Sequence, residues 1–158
     1  MHPQEQQTVK LNTRGQYAVM AMVELARAQN TRTLPLSEIA DNAGISLSYL
    51  EQLIAGLRRH GLVASYRGPG GGYSLSKPAE SIIVTEILVA AEDSTPARRS
   101  QTRHAKSKTC LKTHTLWEHA GHILSIALSK VTLQDVLNQE LKNHPHTRKV
   151  FELMAKSA

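Results

Sequence analysis

The first part of the chain alternates apolar and polar residues at helical spacing. Between Thr13 and Gln29 the apolar positions follow i, i+3, i+4 and i+7, which predicts an amphipathic helix with Thr13 as its N-cap. After a polar connector, Pro35 is expected to open a short second helix, with Gly44 just beyond its end.

A third helix is predicted from Ser46 to a stop at Gly61. Its single apolar stripe would consist of Leu47, Leu50, Leu53, Ile54 and Leu57. Ser48 and Glu51 have the spacing of a capping box. The second and third helices, joined by a tight corner, indicate a helix-turn-helix.

The spacing of apolar residues changes after Gly61 from a period of about 3.6 to a period of about 2. Two alternating segments, LVASYR at 62–67 and GYSLSK at 72–77, flank a run of glycines around Pro69. This pattern predicts a β-hairpin with a flexible tip. A helix-turn-helix followed by such a hairpin is a winged helix-turn-helix.

Three further helices are expected in the second half of the chain. Pro78 opens one that runs to residue 91, with Ile83, Val84, Ile87 and Leu88 on one side. A longer helix begins near Thr115, and Thr132 caps a short third one. The long helix has an apolar face with no place in the main core, so we expect it to bind a second copy of the chain. The predicted dimer interface is Leu116, Ala120, Ile123, Leu124, Ala127 and Leu128. His119 and His122 are expected at the surface.

The fold class predicted is therefore mostly α with a small β-hairpin wing, plus a long C-terminal dimerisation helix. We expect a flexible N-terminus at 1–9, a winged domain at 10–92, a basic loop at 93–110, two helices at 111–140 and a tail at 141–158. The chain has 158 residues, which is too short for two full-sized domains. Its start, MHPQEQQ, has no apolar signal segment, and its single cysteine agrees with a reducing compartment, so a cytoplasmic location is expected.

The net charge of +6 is unevenly distributed along the chain. Residues 93–109 contain five basic side chains and one acidic one, with almost no large apolar group. Such a segment cannot bury a core, so we expect a mobile loop or linker. Excess positive charge indicates a polyanionic partner such as nucleic acid or an anionic membrane surface. No stretch reaches the ~18 consecutive apolar residues of a membrane span, and the helix-turn-helix and wing favour DNA, so no membrane partner is expected.

The third helix and the wing carry the candidate contacts to double-stranded DNA. A helix that enters the major groove needs short polar side chains at its N-terminal end. That set is Ser46, Ser48, Tyr49, Glu51 and Gln52. Glu51 can accept from a cytosine amino group, and Gln52 can bridge an adenine. The alternative is that Ser46, Ser48 and Glu51 only cap the helix.

In the wing, Arg67 and the small tip Gly68, Pro69 and Gly70 suit a narrow minor groove. Arg58 and Arg59 either contact flanking phosphates or only balance the helix dipole. The glycine run does not match a nucleotide-binding loop, and no catalytic triad, carboxylate pair or metalloprotease motif is present. An enzyme is therefore not expected.

The segments KLNTRGQYAVMAMVELA and GISLSYLEQL, followed by RGPGGGY, resemble the Rrf2 family of bacterial winged-helix regulators. The resemblance is strongest to its iron-sulfur cluster regulator branch and covers about residues 10–92, with CLKTHTLW at 110–117 resembling the entry to the dimerisation helix. It implies a homodimer on a pseudo-palindromic operator, and DNA contacts by Tyr17, Ser46, Ser48, Tyr49, Glu51, Arg67, Gly68 and Pro69.

The basic loop departs from that family. Cluster-binding members carry three cysteines there, whereas this chain has only Cys110, with His104 and Arg98 at the other two places. One hypothesis is a two-iron two-sulfur cluster held by Cys110, His104 and His114, with one ligand from elsewhere. The alternatives are a solvated basic linker, a redox-reactive Cys110 thiol, or a pocket for another ligand. A different class of function, a protein-interaction module that never binds DNA, also stays open.

Overall fold

The computed structural model describes residues 12–93, 108–141, 144–145 and 147–148, with the backbone alone over 108–114. The described chain is mostly helical and contains one antiparallel pair of strands. This confirms the predicted fold class.

Helix α1 spans Thr13–Arg27, and its N-cap is Asn12 rather than the predicted Thr13. The Asn12 side-chain oxygen accepts a 2.9 Å hydrogen bond from the backbone N–H of Gly15. A side-chain oxygen at the N-cap reaches the N–H of N2 or N3, and from Asn12 that N–H belongs to Gly15. The inner face of α1 is fully buried, including Met22 and Leu25.

Helices α2 (Leu36–Ala43) and α3 (Leu47–Arg59) form the helix-turn-helix. Gly44 ends α2 in the left-handed region at φ 64°, so the predicted corner is confirmed. The apolar stripe of α3 is buried from Leu50 to Leu57. Leu47 is the exception, because 47% of it is exposed. It lies in the first turn of α3, beyond the edge of the core, so its assignment to the stripe was wrong.

The hairpin consists of β1 (Val63–Tyr66) and β2 (Gly72–Leu75), in a register that pairs Val63 with Leu75 and Tyr66 with Gly72. The connector between α1 and α2 joins this sheet. The N–H of Leu34 donates to the carbonyl of Tyr73 at 2.9 Å, and the N–H of Tyr73 donates back at 2.8 Å. The approach is so close that a Cβ on Gly72 would lie 2.5 Å from the Leu34 carbonyl oxygen.

The wing tip was expected to be flexible, but it is held at two points. The Thr33 hydroxyl donates a 2.6 Å hydrogen bond to the carbonyl oxygen of Gly70. Within the tip, the N–H of Gly71 donates to the carbonyl of Gly68 at 2.8 Å. A Cβ on Gly71 would lie 2.5 Å from the Tyr66 carbonyl oxygen, so the tight turn requires glycine there.

The single helix predicted after Pro78 is divided into a short 3-10 helix, Ala79–Ser81, and helix α4, Val84–Glu92. The break at 82–83 has a physical cause. The backbone there pairs with residues 131–133: the N–H of Leu133 donates to the carbonyl of Ile82 at 2.8 Å, and the N–H of Val84 donates to the carbonyl of Val131 at 2.9 Å. A continuous helix would use these groups internally.

Helix α5 spans Lys108–Leu128 and begins earlier than the predicted Thr115. Thr132 caps α6 (Leu133–Leu137) as predicted, and α6 ends sooner than expected because Gln139 adopts φ 56°. Leu133 is fully buried and belongs to the core of the winged domain. Among the described residues, no helix is long and apolar enough to cross a membrane.

Candidate nucleic-acid interface

The N-terminal end of α3 presents an exposed row of polar side chains. Ser46 is the N-cap, but its side chain makes no capping hydrogen bond. Ser48 and Glu51 lie within the helix, so they cannot form an N-terminal capping box, and that interpretation was wrong. Ser46, Ser48, Glu51 and Gln52 are all exposed. None of them caps α3, so the polar groups of Ser46, Ser48 and Glu51 are available to a ligand.

Aromatic contacts hold this end of α3 against α1. The rings of Tyr17 and Tyr49 meet edge to face, with centroids 5.8 Å apart. The Arg14 guanidinium lies over the Tyr49 ring, 5.5 Å from its centroid. It also donates from Nη2 to Oε1 of Gln52 at 3.5 Å. Two predicted DNA-contact residues, Tyr17 and Tyr49, therefore lie together, and Arg14 joins them.

Sequence reasoning missed both Arg14 and Leu47. Arg14 lies one turn before Tyr17 on the same face of α1, and that spacing was the signal that could have identified it. Leu47 had been assigned to the core. It is an exposed apolar side chain in the first turn of α3, a position from which an apolar group can contact the methyl group of thymine.

The predicted wing residues lie together at the hairpin tip. Arg67, Gly68, Pro69 and Gly70 are all exposed. Gly68 and Gly70 have φ 93° and 76°, values that favour glycine. The tip is therefore narrow and has a single basic side chain, Arg67, at its base.

Arg58 and Arg59 are both exposed at the C-terminal end of α3, but they differ in their contacts. Arg59 Nη2 donates to the carbonyl oxygen of Asp93 at 2.5 Å, and His60 Nε2 lies 2.8 Å from Asp93 Oδ2. Within the described part of the chain, Arg58 has no side-chain partner. Arg59 thus holds the end of α4, whereas Arg58 projects toward solvent.

The candidate metal ligands fall outside what the structure describes. His104 lies outside the described residues, and so do the side chains of Cys110 and His114, whose backbone forms part of α5. Among the side chains that are described, no group of three potential metal ligands comes together.

The predicted dimer residues on α5 separate into two groups. Leu124, Ala127 and Leu128 are half-buried, and the two leucines pack against a buried cluster of their own chain, formed by Val84, Leu88 and Val131. Leu116, Ala120 and Ile123 are exposed. Two further large apolar side chains that the prediction omitted are exposed on α5, Trp117 at 70% and Ile126 at 58%. His119 and His122 are exposed, as predicted.

Comparisons with known proteins agree with this architecture. Residues 11–139 match the model of the Rrf2 family, described as an iron-dependent transcriptional regulator. The chain is 42% identical over 134 residues to the HTH-type transcriptional regulator IscR of Yersinia pestis and to that of Photorhabdus laumondii. Each alignment covers 84% of this chain and 81% of the relative.

Solved structures give the same result. The T. potens IscR structure has a TM-score of 0.63 and 34% identity, and covers 86% of this chain and 91% of that one. CymR, the global cysteine regulator of B. subtilis, has a TM-score of 0.62 and 28% identity, with 83% and 98% covered. The chain therefore belongs to the Rrf2 family of DNA-binding transcription regulators and is IscR-like.

Proposed function

We propose that the protein is a homodimer that binds a pseudo-palindromic operator in double-stranded DNA. The observation that carries this proposal is the exposure of polar side chains in the first turns of α3, none of which caps the helix. They are Ser46, Ser48, Glu51 and Gln52. Each α3 would enter a major groove, and each wing an adjacent minor groove.

The proposed roles follow from the chemistry of each side chain. Glu51 accepts from a cytosine amino group, and the hydroxyls of Ser46 and Ser48 bind phosphate or a base edge. Tyr17 and Tyr49 contact the backbone beside them. In the wing, Arg67 follows the negative potential of the minor groove, while the tip at 68–70 fits closely because it lacks side-chain bulk. Arg58 binds a flanking phosphate.

The dimer is inferred from α5. Leu116, Ile123 and Ile126 share one side of α5 by helical spacing and expose an apolar surface that the described part of the chain does not cover. A second copy of the same helix is the natural partner, since a two-fold dimer places two α3 helices on two equivalent half-sites. A location in the cytoplasm, where the DNA of a bacterial cell lies, agrees with this role.

The proposal is tested by selection of duplex DNA from a random library with the full-length protein, followed by titration of the selected duplex. We expect one enriched, two-fold symmetric sequence and an affinity that falls as salt rises, because bound phosphates release counterions. A protein-interaction module is the second candidate, favoured by the exposed Trp117. No enrichment, or binding independent of salt, would support that module instead.

The donor set around the basic loop does not fit a cluster held by several thiolates, because Cys110 is the only cysteine of the chain. Histidine ligates iron in some clusters, so His104 and His114 keep the hypothesis testable. The measurement is the iron content and visible absorption of protein purified without oxygen. Colourless, iron-free protein that still binds its operator would exclude a cluster requirement and leave the linker, the reactive thiol or another ligand.

A further inference from the structure

Arg14 links α1 to the DNA-facing side chains of α3. It is half-buried, with its guanidinium over the ring of Tyr49 and Nη2 3.5 Å from Oε1 of Gln52. Its Nε is buried and, within the described residues, has no hydrogen-bond partner. The guanidinium is thus held in place by packing, and its outer nitrogen is directed at the Gln52 carboxamide.

Contact with Arg14 fixes which atom of the Gln52 carboxamide faces the protein. A guanidinium is only a donor, so the atom that it contacts has to be the carboxamide oxygen. The carboxamide is planar, and its nitrogen then points away from Arg14. Gln52 therefore turns its two N–H donors toward a ligand, while its oxygen faces Arg14 and uses one of its two lone pairs there.

This orientation changes the base that Gln52 selects. Adenine offers an acceptor at N7 and a donor at N6, so a glutamine that bridges adenine needs its nitrogen and its oxygen to face the base along the same edge. Guanine offers two acceptors, N7 and O6, and thymine offers O4. With its oxygen turned toward Arg14 and its donors facing outward, Gln52 matches guanine or thymine better than adenine, the base expected from the sequence alone.

We propose that Arg14 is a specificity-determining residue, which orients Gln52 as a donor and so directs it to guanine or thymine at one operator position. The proposal rests on the proposed binding of DNA through α3. Arg14 acts here as a positioning residue, through Gln52, and needs no contact of its own with a base.

The test compares base preferences of full-length variants on a randomised duplex library. The operator position read by Gln52 is identified as the one whose preference disappears in Gln52→Ala. We expect the wild type to prefer guanine or thymine there, by about three- to tenfold over adenine, the size of one hydrogen bond. Arg14→Met keeps the stem over the Tyr49 ring and removes the charge, and it should shift the preference toward adenine. Arg14→Lys retains a donor and should restore the wild-type preference.

Two controls separate this role from others. Arg58→Met removes an exposed cation from the same interface, and should weaken binding to all sequences without changing the preferred base. The double variant Arg14→Met with Gln52→Ala should have no preference at the position, as in Gln52→Ala alone. Thermal melting of each variant checks that the fold is retained.

The proposal is overturned if Arg14→Met weakens all duplexes equally, which would make Arg14 a phosphate contact, or if the wild type already prefers adenine at the Gln52 position. If the wild type enriches no sequence at all, the proposed function fails first. Arg14→Met could also destabilise the fold and lower the melting temperature sharply. In that case Arg14→Lys decides: if it restores both the fold and the preference for guanine or thymine, the orientation of Gln52 is supported. Loss of the preference in Arg14→Lys with the fold intact contradicts it.

Discussion

The hydroxyl of Thr33, in the connector between α1 and α2, donates a 2.6 Å hydrogen bond to the carbonyl oxygen of Gly70 at the wing tip. This contact joins two parts of the chain that are 37 residues apart. Together with the pairing of Leu34 and Tyr73, it fixes the wing relative to the helix-turn-helix. The position of the wing is thus set by the connector as well as by the hairpin.

Replacement of Thr33 by Val tests this role. Val has nearly the same shape but no donor, so the tip should lose its anchor while the fold is retained. We expect operator affinity to fall about two- to tenfold, equivalent to the ~0.5–1.5 kcal/mol of a typical hydrogen bond. Fluorescence anisotropy with a labelled operator measures it. Thr31→Val is the matched control, because the Thr31 hydroxyl donates to the carbonyl of Ala28, outside the wing. Equal affinities for the two variants would contradict a role for the anchor.

Arg67→Ala should weaken operator binding by roughly 1–3 kcal/mol, the scale of one arginine placed in a groove. The expected cause is loss of the basic side chain that residues 67–72 of the wing tip contribute. The control is Arg27→Ala, since Arg27 is an exposed arginine that pairs with Glu24 at 2.7 Å within α1. A DNase footprint and affinity that remain unchanged in Arg67→Ala would exclude the wing from the interface.

Glu51→Ala should relax the base preference without a comparable loss of affinity. Glu51 is exposed within α3 and does not cap it, so its removal leaves the helix intact. The loss of one negative charge should even strengthen nonspecific binding. Library selection measures the preference, and Glu80→Ala serves as a control with the same change of charge at an exposed site outside α3. Retained selectivity in Glu51→Ala would show that Glu51 reads no base.

Ile123→Glu should separate the dimer. Ile123 is 68% exposed on the free face of α5, and a carboxylate buried between two copies would be left without a partner. Sedimentation equilibrium should show dimers for the wild type and monomers for the variant, with weaker operator binding. Ser129→Glu adds the same charge just after α5 ends, at an exposed position, and should stay dimeric. A wild-type protein that sediments as a monomer would contradict the proposed dimer.

Local sequence signals predicted most of the fold. The left-handed glycine at residue 44, the cap at Thr132 and the switch from helical to alternating periodicity each depend on neighbouring residues alone, and all three are present. The interruption before α4 was missed because its cause is a pairing with residues 131–133, far along the chain. Periodicity cannot detect such a pairing.

The candidate site likewise has features that one segment determines and contacts that join two segments. The polar row on α3 and the glycine-rich wing tip could be predicted, since each lies in one continuous segment. The contacts that orient them, from Arg14 to Gln52 and from Thr33 to Gly70, join different segments. Leu47 was misassigned because helical spacing fixes an angle around α3 but not the place where the core ends. Likewise, Leu124 and Leu128 of the predicted α5 face pack within their own chain, because helical spacing does not show where the core ends.

The carboxylate that caps α6 leads us to expect that the protein loses stability in acid. Burial by itself raises the pKa of Asp135, but hydrogen bonds from the Thr132 hydroxyl and backbone N–H, with the charge of His144, lower that pKa below its usual value. The two Thr132 groups lie 2.7 and 2.8 Å from Asp135 Oδ2. Because the folded-state pKa is below the unfolded value of about 3.9, ionised Asp135 stabilises the fold above that pH.

This contribution should disappear as pH falls from about 4 through the lower folded-state pKa. Asp135→Asn should lower the free energy of unfolding near neutral pH by about 1 kcal/mol, the value of a helix cap, and should reduce the dependence of stability on pH below about 5. Urea unfolding at a series of pH values measures both effects. Asp41→Asn, the same substitution at an exposed position in α2, is the matched control. An identical acid profile for Asp135→Asn and the wild type would mean that the cap does not depend on the carboxylate charge.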